Sequence, residues 1–153
     1  PAVNVGISVS RVGGKAQVPA MRRIAGRLRL DLAQYREKQA FSLFSTEVDE
    51  ETRRQLKRGA LLVEVLKQNK YMPMPVEDQV IIIYATTAGH LDTVPLEKVA
   101  DFERRLIDHV RRTDPGVIDG VKEFSQATEE RLNKLIFQFR ETFDVTAPIK
   151  NKT

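Results

Sequence analysis

The chain has 153 residues, 41% hydrophobic and 30% charged, and carries a formal net charge of +4. That length suits one domain built on one core, and the absence of cysteine excludes disulfides and thiolate metal sites. Acidic and basic residues are interspersed, tryptophan is absent and no apolar run is long enough to cross a bilayer, so neither a nucleic-acid platform nor a membrane-spanning segment is expected. No secretory signal is visible, and a sequence starting at Pro1 reads as a fragment or processed product.

Val3, Val5, Ile7 and Val9 alternate with Asn4, Gly6, Ser8 and Ser10, the period of a β-strand with one buried face. Arg11 follows at its end and Gly13-Gly14 makes a turn, an arrangement suited to presenting a fixed guanidinium fork to a phosphate. A single strand is not stable alone, so its partners are expected upstream or in another polypeptide, and the sequence reads as the C-terminal part of a larger protein.

From Pro19 the period becomes helical. Met21, Ile24, Ala25, Leu28, Leu32 and Tyr35 define a helix running to about Ser45, with Gly26 inside it suggesting close packing. Arg22, Arg23, Arg27 and Arg29 form either a solvated basic face or a contact with an acidic neighbour. Asp49 is placed to cap the next helix, with Glu50 and Glu51 complementing its dipole. That helix is expected to be interrupted at Gly59 and to resume from Ala60 to Lys67. Pro73 and Pro75 impose a loop, and Pro75 fits the first position of a further helix. The run Val80–Tyr84 is β-compatible by composition, but its flanks favour helix, and Gly89 ends it. Pro95 opens another helix with Val99, Phe102, Leu106 and Val110 inward; Asp114-Pro115-Gly116 marks a loop or short break. Ser125 caps a last helix with Leu132, Leu135, Ile136, Phe139 and Phe143 as its stripe.

The fold expected is therefore mainly α: a helical bundle over 19–143, preceded over 1–18 by a short β-strand and loop left over from an upstream α/β nucleotide-binding domain. Residues 144–153 read as a flexible tail. No complete active site is visible. The Gly-rich phosphate loop with its lysine is missing, and Gly13-Gly14-Lys15 lacks the spacing. His90 and His109 have no metal-ligand pattern around them and read as surface or helix-end residues, and no metal site is expected.

The string Pro1-Ala2-Val3-Asn4-Val5-Gly6-Ile7-Ser8-Val9-Ser10-Arg11-Val12-Gly13-Gly14 resembles the last strand of the nucleotide-binding domain in α subunits of F-type ATP synthases. The resemblance continues through Leu30–Glu37, Arg54–Gly59, Val65–Gln68, Pro75–Ala85 and Gly89–Asp92, reaching about Phe143. It implies a regulatory, non-catalytic subunit. Arg11 matches the arginine finger extended onto the terminal phosphate in the adjacent β subunit, where a guanidinium stabilises charge developing on the transferred group. Ser8 matches a position needed for activity, although a purely structural serine fits as well. Gln68 matches a glutamine that contacts adenine in a non-catalytic nucleotide site, and Pro1 a residue packed near the same base. Lys70 stands where the family usually has glutamine, and an ammonium cannot accept a hydrogen bond. Ser45-Thr46-Glu47-Val48-Asp49 is similar to a loop facing the central stalk.

The implied cofactors are ATP or ADP, with Mg2+ held mainly by parts outside this sequence. The implied partners are β subunits and the γ stalk, with the membrane met only through the complex, at the cytoplasmic face of a bacterial plasma membrane or an organellar equivalent. A helical interaction module, or part of another ring ATPase, is the alternative.

Overall fold

The computed structural model describes residues 19–43, 47–71 and 74–143, with backbone alone for Pro19, Met21 and residues 68–71. Its elements are α1 (Pro19–Ser42), α2 (Glu50–Tyr71), α3 (Val76–Thr87), α4 (Val99–Thr113, entered through a 3-10 turn at Leu96–Lys98), α5 (Pro115–Gly120) and α6 (Gln126–Thr142). The expectation of a β-strand ahead of the bundle is corrected: every regular element among the described residues is helical. A strand needs a paired neighbour for its backbone donors and acceptors, and the described residues have their regular backbone bonds within helices. Residues 3–9, on which the strand was placed, lie outside the described residues, as do the rest of 1–18 and the tail 144–153.

α1 and α2 are the two longest helices and pack along each other as a hairpin. Two glycines in this pair behave in opposite ways. Gly26 was expected to mark close packing, yet a Cβ there would meet no described atom within 4 Å. Gly59 was expected to interrupt α2, yet the helix runs through it unbroken. Gly59 is buried and faces the Tyr35 ring of α1, which a Cβ would overlap. The missing side chain is therefore a packing device, and its cost in helix propensity, about 1 kcal/mol, is offset by the approach of the two helices. Asp49 caps α2 as expected, its Oδ1 accepting from the Thr52 amide at 2.7 Å.

α3 touches each of the other five helices. Every residue from Val80 to Thr87 is buried, so the run that resembled a strand by composition is a core helix, apolar all round because it is surrounded. Its two threonines bond back to their own helix, Thr86 Oγ1 to the Ile82 carbonyl at 2.8 Å and Thr87 Oγ1 to the Ile83 carbonyl at 3.0 Å. Pro75 sits at the N-cap, one residue before the position expected for it. The first turn carries Glu77 and Asp78, which pair with Lys122 at 2.9 Å and Arg111 at 2.7 Å. The other end closes on Gly89, with φ of 90°. Gly89 N–H donates to Thr86 O at 3.2 Å and His90 N–H to Ala85 O at 3.0 Å, a Schellman closure that satisfies the last carbonyls.

The second half packs α4, α5 and α6 against this centre. Val99, Phe102, Leu106 and Val110 are fully buried, as their spacing requires. Pro115 begins α5 at its first helical position where a loop or break was expected. Ser125 caps α6, Oγ accepting from the Thr128 amide at 3.3 Å. Leu132, Leu135, Ile136 and Phe139 are buried along α6, and the Phe102, Phe139 and Phe143 rings stack with centroids 5.1–5.6 Å apart.

The two glycines give a paired prediction. Gly26→Ala should stabilise the protein by up to about 1 kcal/mol, because only helix propensity changes. Gly59→Ala should destabilise it by about 1–3 kcal/mol through overpacking against Tyr35. Thermal unfolding followed by circular dichroism compares them, and equal gains in midpoint would contradict the packing assigned to Gly59.

Candidate functional site

Pro1, Ser8 and Arg11 lie outside the described residues. Gln68 and Lys70 fall in the last turn of α2, where the helical backbone alone is described. All five expected side chains thus lie outside the described ones. What the structure does show is how the entry to α3 is held. Met74, between Pro73 and Pro75, packs on the core, and its carbonyl accepts from Gln79 Nε2 at 2.9 Å. Gln68 carries an amide that both donates and accepts, while Lys70 and Arg11 carry donors only. Among the described residues no group of three or more His, Asp or Glu could hold a metal ion.

The tip of the α1–α2 hairpin is the second expected region. Ser45 and Thr46 lie outside the described residues. Around them Phe41 and Leu43 are 59% and 80% exposed, and Glu50 and Glu51 are exposed as well. Asp49 is held below the usual carboxylate range by the hydrogen bonds from Thr52, so it stays ionised. The tip is thus apolar and acidic at once. At the other end of α1, Arg22, Arg23, Arg27 and Arg29 are exposed. Arg23 reaches Glu129 only loosely, at 3.9 Å.

Inside the bundle, sequence reasoning missed two titratable groups. His90, expected at a surface or helix end, follows α3 directly but is 95% buried, being 5% exposed. Its Nε2 lies 2.9 Å from Asn133 Oδ1 and its Nδ1 3.4 Å from Arg140 Nη1. Glu103, on α4, is also 5% exposed, and its Oε1 has no hydrogen-bond partner among the described residues. Burial, with Glu64 adding to it, pushes its carboxyl up to about 8. A helical spacing that put Phe102 and Leu106 inward also carried residue 103 toward α2, a signal readable only once the packing partner of α4 is known. Desolvation inside the bundle accounts for the shift. A cleft of about 290 Å³ lies elsewhere, floored by Val94 and Phe102 and rimmed by Phe137, Arg140 and Phe143.

Comparison with known proteins agrees with this all-helical body. The family model described as ATP synthase alpha/beta chain, C terminal domain, matches residues 17–142. The protein is 51% identical over 146 residues to ATP synthase subunit alpha of Mycobacterium marinum, covering 94% of its own length and 27% of that relative. It is 50% identical over 149 residues to the same subunit of Mycolicibacterium vanbaalenii, covering 95% of its own length and 27% of that relative. With Mycolicibacterium smegmatis the identity is 49% over 149 residues, at the same coverage. The protein belongs to the family of C-terminal domains of ATP synthase α and β subunits, and within it matches the C-terminal region of the α subunit. It spans about a quarter of the length of these curated relatives.

Glu103 generates a pH prediction. In the fold its carboxyl holds a proton up to about 8, against an ordinary value of 4.5. Between those values the folded state binds more protons than the unfolded one, so stability falls as pH rises and levels off above about 8. Glu103→Gln should remove that slope and stabilise the protein by about 1–3 kcal/mol at neutral pH. Urea unfolding from pH 4.5 to 9 measures it; an unchanged slope would show that Glu103 finds a donor in solution.

Proposed function

We propose that the protein is the C-terminal part of the regulatory, non-catalytic α subunit of a proton-translocating ATP synthase, with residues 1–18 belonging to a preceding nucleotide-binding domain. It catalyses nothing by itself. Arg11 is donated as an arginine finger to the adjacent β subunit, where its guanidinium neutralises charge developing on the transferred phosphoryl group during ATP synthesis or hydrolysis. Ser8 supports that arginine. Gln68, with Pro1 and Lys70 nearby, meets the base of a nucleotide in a non-catalytic site, and Mg2+ and the phosphates are held by residues outside this sequence. The helical bundle takes its place in the ring around the central γ stalk, at the cytoplasmic face of a bacterial plasma membrane.

The observation that carries this reading is the match of nearly the whole sequence, at about half identity, to α subunits of mycobacteria. One structural feature accords with it. The hairpin tip exposes Phe41, Leu43, Glu50 and Glu51 together, a surface suited to a partner near the axis.

Arg11→Ala in the assembled complex should lower ATP turnover on the order of a thousandfold while leaving assembly intact. Steady-state hydrolysis and size-exclusion of the complex read the two effects, and undiminished turnover removes Arg11 from the mechanism. Gln68→Ala should weaken retention of non-catalytic nucleotide more than it slows turnover. Full retention after gel filtration would count against the adenine contact.

A further inference from the structure

His90 stands in a series of hydrogen bonds whose direction is set by Arg140. Arg140 has only N–H groups to offer, so Nδ1 of His90, 3.4 Å from Arg140 Nη1, must be the bare acceptor. The proton of the neutral ring then sits on Nε2 and is donated to Asn133 Oδ1 at 2.9 Å. Glu129, on the same helix as Asn133, accepts from the Tyr84 hydroxyl at 3.3 Å. From the guanidinium through the ring to the Asn133 amide each group donates to the next, and such series strengthen their members.

The weak point is the imidazole. A second proton can enter only at Nδ1, and there it replaces an acceptor with a cation facing Arg140. The charged groups around the ring are few. α6 contributes Arg140, the turn after α3 contributes Asp92, and α2 contributes Arg58, which already engages Asp92 at 2.7 Å. Burial, above all, disfavours a charged ring, and Arg140 adds to it. Arg140 and Phe137, whose ring meets His90 edge-on at 5.1 Å, also form the rim of the cleft over Phe102.

We propose that His90 is an acid-sensitive latch: protonation at Nδ1 breaks the contact with Arg140, releases the C-terminal turn of α6 from the turn after α3, and opens the cleft over Phe102 and Phe143. The sign follows from the fold's preference for the neutral ring. Its stabilisation is present above the ordinary histidine value of 6.5 and is lost as pH falls below it. The latch concerns the bundle alone and stands whether or not Arg11 reaches a neighbour's phosphate.

The test is NMR of the full-length protein between pH 8 and pH 5, with amide hydrogen exchange corrected for its intrinsic pH dependence. The ring is expected as the Nε2–H tautomer at pH 7.5. On acidification, exchange at 138–143 should rise about tenfold relative to 128–134, a local opening confined to one end of α6. His90→Gln keeps a donor and an acceptor without titrating, and should abolish the rise. Arg140→Gln removes the opposing charge, and should move the ring's protonation to higher pH. The proposal is overturned if the ring protonates with no change at 138–143, or if His90→Gln keeps the acid response. Should His90→Gln fail to fold, an unmoved midpoint in Arg140→Gln overturns it equally.

Discussion

The burial of α3 on all sides is the constraint on which the rest of the bundle depends. A helix with Val80, Ile81, Ile82 and Ile83 in succession has no face it can show to water, and five other helices are arranged so that it shows none. Its ends are harder to cover than its middle, because free amides and carbonyls gather there. At the N-terminal end, Glu77 and Asp78 place negative charge on the helix dipole and are anchored by Lys122 and Arg111 from the second half of the sequence. At the C-terminal end, the left-handed Gly89 turns the carbonyls inward, and Arg58 of α2 holds Asp92 of the same turn. A Cβ on Gly89 would come within 2.9 Å of that guanidinium, so the glycine answers both a backbone and a packing need.

What could be read from the sequence was whatever a single helix encodes for itself. The caps Asp49 and Ser125, the stop at Gly89 and the inward stripes of α4 and α6 depend on local spacing and local hydrogen bonds, and each is where its pattern put it. What could not be read was set by neighbours. Gly26 and Gly59 are the same residue in similar helical surroundings, and only the position of Tyr35 makes one a surface glycine and the other a contact. Phe124 is a comparable case: it takes a left-handed φ of 51°, costly for a bulky residue, and the Tyr84 ring packs against it at 5.1 Å.

The candidate site residues came from a different source. Arg11, Ser8, Gln68, Lys70 and Pro1 stood out through likeness to a family and not through spacing or composition. The buried chemistry was invisible for the opposite reason. His90 and Asn133 are 43 residues apart and Glu103 and Glu64 lie on different helices, so no spacing rule joins them. Their meaning comes from desolvation, which is a property of the packed state.

The distribution of these features over α1 carries a mechanical consequence. α1 is 24 residues long, a rod of about 36 Å, and Gly26 does not break it. One end carries the exposed arginines and adjoins the segment that contains Arg11. The other ends beside Phe41, Leu43 and the acidic start of α2. Gly59 seats α2 against its middle with no side chain to yield. Close-packed interiors transmit displacement and do not absorb it. The approach at Gly59 therefore leaves no slack between Tyr35 and α2.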